Sequence, residues 1–399
     1  MTFLSSLRSV FPPKYRMATL AGLVAVVYWP AIFAAPTMPR WWLIAIGIGL
    51  VGAFDFRKLD SLCAVLFIAG VAWGAVSTLT NWSLRDGALD FYFLLLIGAV
   101  AAMASSLDNI DPALHALSWG VAVSGALCLL QFFHASPIPM IGARPTGLFY
   151  NSEVMAETAA PLFVWALLKG RRPLAGLLGI PVALCFAKIA VVASIVGILW
   201  PMIKSRPIKA LLGMVAGTIL VFVLVSILRG EGWIGSAEHR FTLWGAAAYS
   251  LTWAGNGFGW WYGAHPFGYE EFVHSDVLQF FVAAGVGGIF FLAIPLVILL
   301  RGIPDKAMGG LFAALCFEAT VSFPTHVPVG AFLFGLVAGH LAGAGARLRV
   351  AQRQRGVVGG VAFRREAAYN SGMGTRRHPA WGTFCDRPSY PADPRPHSI

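Results

Sequence analysis

Continuous runs of apolar residues, interrupted by short charged segments, make up most of the chain between residues 17 and 346. The runs do not alternate apolar and polar residues every second position, so they predict helices and not the strands of a barrel. A helix needs about 20 apolar residues to cross a bilayer. We therefore predict an all-α, polytopic membrane bundle of twelve transmembrane helices. The predicted spans are 17–35, 40–54, 59–79, 87–104, 113–134, 153–168, 173–187, 189–203, 210–228, 276–300, 308–323 and 327–346.

One stretch of this pattern, residues 173–203, fits either one long helix or two short ones. Lys188 lies in its middle, and a lysine at the centre of a membrane is costly. Two helices that meet at Ala187 and Lys188 are therefore favoured.

Composition supports the membrane assignment. Apolar residues make up 58% of the 399 residues and charged residues only 12%, whereas an ordinary soluble domain has about 25% charged residues. A soluble fold of this length could not cover so much apolar surface with so few charges, which excludes that class.

The basic residues predict the orientation. With the N terminus in the cytoplasm, the cytoplasmic segments hold 23 of the 29 Lys and Arg residues. This bias is the one expected of cytoplasmic loops, and it places both termini in the cytoplasm. The net charge of +11 therefore reports topology and not nucleic-acid binding. The basic residues left on the outer side are Arg40, Arg85, Arg144, Lys188, Arg229 and Arg240.

Two domains are predicted. Residues 1–346 form the membrane domain, with outer segments at about 135–152 and 229–275. Residues 347–399 contain ten arginines and three acidic residues without apolar periodicity, which is typical of a disordered tail. We expect this tail to be cytoplasmic and close to anionic headgroups.

Three cations from distant parts of the chain fall on the same outer side: Arg144, Lys188 and Arg240. An arginine presents a planar fork of donors that suits phosphate, and a lysine supplies a point charge. Together they predict a site for a diphosphate headgroup whose lipid tail stays in the bilayer. The alternative for each one is a cation that merely reaches the interface.

His274 is the candidate general base, because an imidazole titrates near neutral pH. Asp276, two residues on, either caps the following helix or orients His274. His326 is a second outer histidine and a backup candidate. Glu157 and Glu318 fall in predicted spans, where Glu318 needs a partner and Glu157 suits the first turn of its helix.

Four regions of the chain carry distinctive motifs in the same order as they occur in a known family. They are Arg144-Pro-Thr-Gly-Leu-Phe-Tyr-Asn151, then Ala187-Lys188, then Arg240-Phe-Thr-Leu-Trp244 with Gly257-Phe-Gly259, and then His274-Ser-Asp-Val-Leu-Gln279 with Gly285-Val-Gly-Gly288. Together they resemble the O-antigen ligase and polymerase superfamily. The first region is similar to its Arg…Gly-Phe-x-Asn loop, and Ala187-Lys188 stands where the family usually has Ser-Arg. The third region resembles its Arg…Trp helix and Gly-x-Gly turn, and the fourth resembles the start of a late span.

The resemblance implies an inverting glycosyltransferase at the periplasmic face of the bacterial inner membrane. It would move a glycan from undecaprenyl diphosphate to a lipid A-core sugar or another glycan acceptor. Arg144, Arg240 and Lys188 would bind the diphosphate, and His274 would accept the proton of the attacking hydroxyl. The supporting residues would be Asp276, Asn151 and Trp244. No metal, nucleotide or other cofactor is implied.

Alternatives remain open. An O-antigen or exopolysaccharide polymerase shares the donor chemistry, and the short outer segment at 229–275 leaves little room for a large acceptor domain. A transporter or flippase of lipid-linked glycans belongs to a different class, as does a structural or sensory protein that works through its basic tail. Transporters tend to show repeated halves and charges deep in their spans, and the outer position of the distinctive residues favours an enzyme.

The aromatic residues of the second outer segment would anchor at the membrane interface or stack on sugars. They are Trp244, Phe258, Trp260, Trp261 and Tyr262.

Overall fold

The structure is a computed structural model that describes residues 12–27, 38–51, 58, 60–81, 84–138, 144–229, 235–261, 273–303 and 305–347. These residues form helices joined by turns, and no strand occurs among them. Parts of both predicted outer segments and the basic tail beyond residue 347 lie outside the described residues. The tail therefore stays a prediction.

The helices are numbered in chain order. They are α1 Pro13–Val26, α2 Met38–Val51, α3 Ser61–Thr80, α4 Leu84–Ser105, α5 Asp111–Phe132, α6 Ser152–Leu168, α7 Arg172–Leu184, α8 Lys188–Leu199, α9 Pro207–Arg229, α10 Gly235–Tyr249, α11 Asp276–Ala284, α12 Gly288–Arg301, α13 Lys306–Val321 and α14 Pro328–Arg347. Single 3₁₀ turns occur at Trp200–Met202, Gly285–Gly287 and Pro324–His326.

Every predicted span coincides at least in part with helix, but the described helices differ in length. Within the described part of the chain, six helical segments are long and apolar enough to cross a membrane: Ser61–Thr80, Gly87–Ser105, Asp111–Phe132, Pro207–Leu228, Asp276–Arg301 and Pro328–Arg347. The outer surface of helix α9 is unsuited to contact with water, since Ile208, Ile219 and Ile227 are all more than half exposed. Exposed apolar side chains on this scale are typical of a surface that faces lipid.

The predicted break within residues 173–203 is confirmed. Helix α7 ends at Leu184 and α8 begins at Lys188. Between them Phe186 has a φ of 49°, a left-handed conformation that a bulky L-residue rarely adopts. The chain therefore turns sharply at this point, and Lys188 becomes the first residue of a helix.

Helices α6 and α13 form the centre of the bundle. Helix α6 packs on α7, α8 and α13, and α13 also packs on α8. Gly197 and Gly310 allow α8 and α13 to touch, because a Cβ on either glycine would lie within 2.8 Å of the other's carbonyl oxygen. At the other end of α13, Ser322 Oγ donates to the carboxylate of Glu157 on α6 at 2.7 Å, and the polar residues gather there.

A glycine-rich segment after α10 supports the break between α11 and α12. The N–H groups of Asn256 and Gly257 donate to the carbonyls of Val282 and Ala283, at 2.9 Å each. Gly255 and Gly285 both have positive φ, and neither leaves space for a Cβ against the other's backbone. The Gly-x-Gly turn therefore has a structural role, which is to hold the end of α11, where the chain breaks before α12.

Candidate functional site

The loop before α6 is held by buried polar side chains. The Gln131 side-chain oxygen accepts from the N–H groups of Thr146 and Gly147, both at 2.8 Å, and Ser124 Oγ accepts from Leu148 N–H at 2.7 Å. Gly147 has a φ of 56°, and an added Cβ would collide with Ser124. Glycine is the residue that adopts this conformation without cost. The loop is therefore fixed before it reaches α6.

Arg40, one of the six cations predicted outside, belongs to this scaffold. Its Nη2 donates to the carbonyl of Leu148 at 2.7 Å, and its guanidinium lies 4.4 Å from the centroid of the Phe149 ring. Arg40 is buried, so its charge secures the loop and is not presented to a ligand.

Asn151 is the N-cap of α6. Its side-chain oxygen accepts from the N–H of Glu153 at 2.7 Å, as is usual for asparagine at this position. The supporting role assigned to Asn151 therefore takes the form of a helix cap, which fixes Glu153 in the first turn.

Arg144 and Arg240 meet on one carboxylate. Arg144 Nη2 lies 3.3 Å from one oxygen of Glu153, and Arg240 Nη2 lies 3.2 Å from the other. Arg144 also donates to the carbonyl of Cys185 at 3.2 Å, and Arg240 donates to that of Val321 at 2.7 Å. The two arginines are thus adjacent and held in position.

Sequence reasoning missed Glu153. An acidic residue in the first turn of a helix is commonly explained by the helix dipole, so its identity carried no signal. Its position two residues after the Asn151 cap becomes informative only when Arg240, 87 residues away, reaches the same carboxylate.

Lys188 lines the same cavity as Arg240. It is buried, and its Nζ lies 5.5 Å from the centroid of the Phe222 ring. As the first residue of α8 it adds its charge to the positive end of the helix dipole. A lysine and a helix N-terminus together favour an anion at this point.

The cavity has a volume of about 260 Å³, and both charged and apolar residues line it. The charged residues are Glu153, Glu157, Lys188 and Arg240. Its remaining wall is mostly apolar and comes from α8, α9, α10 and α13: Ile189, Val192, Thr218, Phe222, Phe241, Trp244, Phe317 and Val321. The cavity therefore suits a molecule with a charged head and an apolar body.

His274 lies close to this polar cluster. Its ring meets that of Phe323 edge to face, with centroids 4.8 Å apart, and its carbonyl accepts from Trp244 Nε1 at 3.3 Å. His274 also interacts electrostatically with Glu153. Its φ of 55° is unusual, although His, Asn and Asp adopt it more readily than other non-glycine residues. Trp244 thus holds the backbone of His274 and lines the cavity as well.

Asp276 does not cap α11. Among the described contacts, Asp276 also makes no hydrogen bond to His274. The N-cap is Ser275, whose Oγ accepts from the N–H of Leu278 at 3.2 Å. The carboxylate of Asp276 instead lies 2.7 Å from His326 Nδ1 and accepts from the N–H of Thr325 at 3.0 Å. The structure therefore joins Asp276 to the backup histidine.

The Asp276–His326 pair predicts a pH dependence of stability. Burial lowers the pKa of His326, but the hydrogen bond and charge of Asp276 outweigh it and raise the pKa above its usual value. The pair therefore stabilises the fold fully below the unfolded-state pKa of about 6.5, and this contribution is lost as pH rises through the folded-state pKa.

We expect Asp276→Asn to cost more stability near pH 5 than near pH 9. The asparagine oxygen still accepts from Thr325 N–H, so the comparison isolates the charge. Thermal unfolding of both proteins in detergent across this range measures the difference. An equal loss of stability at both ends of the range would contradict the ion pair.

Some of the aromatic residues predicted for the second outer segment do not face outward. Phe258 and Trp261 are buried inside the protein, so the prediction that they anchor at the interface or stack on a sugar is wrong for both. Tyr262 lies outside the described residues. Tyr249 and Trp253, which the sequence did not single out, are instead 96% and 77% exposed.

The structure thus brings Arg144, Arg240, Lys188 and His274 to one region around Glu153. It places His326 with Asp276 beside this region. No protein-family model and no curated protein matches this sequence.

Proposed function

We propose that this protein is an inverting glycosyltransferase that uses a lipid diphosphate-linked glycan as donor, as O-antigen ligases do. The observation that carries the proposal is the meeting of Arg144 and Arg240 on Glu153, at the edge of an amphipathic cavity that Lys188 also lines. The resemblance of the four sequence segments supports it.

The charged and the apolar lining residues of the cavity match the two parts of such a donor. A diphosphate needs several fixed cations, and arginine binds phosphate oxygens in a bidentate manner. A polyprenyl chain needs an apolar wall. Helices α8 and α9 supply part of that wall directly beside Lys188, so the headgroup and the start of the tail fit together.

The reaction follows from this arrangement. The acceptor hydroxyl attacks the anomeric carbon from the face opposite the diphosphate, and the carbon–oxygen bond to the phosphate breaks with inversion. The electron pair leaves on the diphosphate, whose growing charge Arg144, Arg240 and Lys188 stabilise. His274 accepts the proton of the hydroxyl, a role that typically contributes about 10²–10⁴-fold to the rate.

The proposal includes the topology. Twelve crossings with both termini in the cytoplasm place this cluster on the periplasmic face of the bacterial inner membrane. The distribution of basic residues supports this orientation. The exposed Tyr249 and Trp253 are suited to the headgroup layer of the same face.

A lipid A-core sugar is the first proposed acceptor, and the growing end of another lipid-linked glycan is the alternative. The donor chemistry is the same for both. The short second outer segment favours an acceptor that needs little protein surface.

Reconstitution tests the proposed function. The purified full-length chain is placed in liposomes with a polyprenyl diphosphate-linked glycan, and either lipid A-core or a second lipid-linked glycan is supplied as acceptor. A new glycosidic bond formed without nucleotide supports transfer, and the productive acceptor separates a ligase from a polymerase. Movement of intact donor across the bilayer without a new bond would identify a transporter and overturn the proposal.

Lys188 provides a graded test of the phosphate site. We expect Lys188→Arg to retain transfer within about threefold, because the charge remains and the cavity offers space. We expect Lys188→Met to lose about tenfold or more, which corresponds to one charged contact of about 1.4 kcal/mol in the transition state. Initial rates at saturating acceptor measure both. Equal rates for Lys188→Met and the wild type would exclude Lys188 from the site.

A further inference from the structure

A small cavity lies between α6, α13 and the residues that follow α13. Its volume is about 10 Å³, and two of its lining residues are the carboxylic acids Glu157 and Glu318. A space of this size holds about one water molecule. The other lining residues are Val154, Thr158, Leu315, Pro324, Val327, Gly330 and Leu333.

Glu318 has no exposed surface, and neither of its side-chain oxygens has a hydrogen-bond partner among the described residues. An ionised carboxylate in such surroundings is very unfavourable, whereas a neutral carboxyl group is tolerated. Among the residues that the structure describes, none of those that line this cavity is basic. The neighbouring acid, Glu157, interacts electrostatically with Glu318 and makes ionisation of Glu318 still harder, since two like charges cannot both be buried so close together.

Glu157 differs from Glu318 in its contacts. Its Oε2 accepts from Ser322 Oγ at 2.7 Å, and the residue also lines the larger cavity with Arg240 and Lys188. Arg240, Glu153 and Asp276 all act electrostatically on it. Glu157 is therefore the wall between the two cavities, and it faces a cation on one side and Glu318 on the other.

We propose that Glu318 and Glu157 form a buried proton-binding site, in which Glu318 carries the proton and one water in the small cavity joins the two carboxyl groups. The proton keeps Glu318 neutral, so that any negative charge of the pair lies on Glu157, next to Arg240. The site thereby sets the net charge that the larger cavity offers to an anion. This conclusion does not depend on the proposed enzymatic activity.

Infrared spectroscopy of the full-length protein in lipid tests the proposal without an activity readout. A protonated carboxyl group absorbs at a higher frequency than a carboxylate, and its band shifts when H₂O is replaced by D₂O. We expect the difference spectrum between wild type and Glu318→Gln at neutral pH to show the loss of one such band. Glutamine is the neutral isostere of the protonated acid, so thermal stability is expected to be unchanged.

Glu238→Gln is the matched control, because Glu238 is an exposed glutamate on α10, and no protonated band is expected to be lost.

If Glu318→Gln fails to accumulate, Glu157→Gln provides the second measurement. In Glu157→Gln, the band of the protonated Glu318 is expected to persist at a shifted frequency, since an amide replaces the neighbouring carboxyl group. An unchanged spectrum would overturn the shared site. Absence of the band in wild type, or its disappearance when sodium replaces choline, would show a carboxylate or a bound cation at Glu318 and overturn the proposal.

Discussion

Arg240→Ala is expected to reduce glycan transfer at least about 100-fold, the scale on which removal of one preorganised group that stabilises a developing anion acts. Arg240 lines the cavity, contacts Glu153 at 3.2 Å and donates to the carbonyl of Val321 at 2.7 Å. Alanine removes the charge that would meet the leaving diphosphate and also leaves Glu153 with one arginine fewer. The rate of product formation in liposomes measures the effect.

Arg206→Ala is a suitable control, because Arg206 is an exposed arginine just before α9. We expect it to transfer glycan at the wild-type rate. Arg144→Ala is expected to behave like Arg240→Ala, since both guanidinium groups hold the same carboxylate. Wild-type rates for both variants, at equal amounts of inserted protein, would remove the diphosphate site from the proposal.

His274→Asn is expected to abolish measurable transfer, with a loss of about 10²–10⁴-fold if the imidazole accepts the hydroxyl proton. Asparagine is chosen because, like histidine, it tolerates the positive φ of 55° at this position. The carbonyl that accepts from Trp244 is also retained. The variant therefore removes the base with little change to the backbone.

Two comparisons give this result its meaning. His239→Asn alters an exposed histidine next to Arg240 and is expected to keep full activity. His326→Asn breaks the contact with Asp276. Its main expected effect is a loss of thermal stability at acidic pH, with only a small effect on the rate of transfer. If His326→Asn abolished transfer and His274→Asn did not, the carboxylate-supported imidazole would be the base in place of His274.

Much of the fold could be predicted from local sequence. The apolar runs predicted helices, and Lys188 predicted the break between α7 and α8, because a buried charge in a continuous membrane helix is too costly. The break between α11 and α12 was not predicted. It depends on the glycine-rich segment 255–259, whose N–H groups bind the carbonyls of Val282 and Ala283, a contact that leaves no periodic signal.

The candidate site was only partly predictable. The residue types of Arg144, Arg240 and His274 indicated phosphate binding and proton transfer, but their mutual distances did not follow from the chain. Glu153 was missed because an acid at a helix start has an ordinary local explanation. Asp276 was predicted to cap α11 or to orient His274, whereas the turn at Pro324–His326 brings His326 to its carboxylate.

The sequence by itself determined that the chain is helical and apolar, and it singled out a small set of cations and histidines in polar segments. These properties depend on side-chain hydrophobicity and on nearest neighbours along the chain. Only the tertiary structure decided which charges meet. Arg144 and Arg240 share Glu153 because close packing around α6 and α13 brings distant segments together, and such contacts depend on shape and not on local pattern.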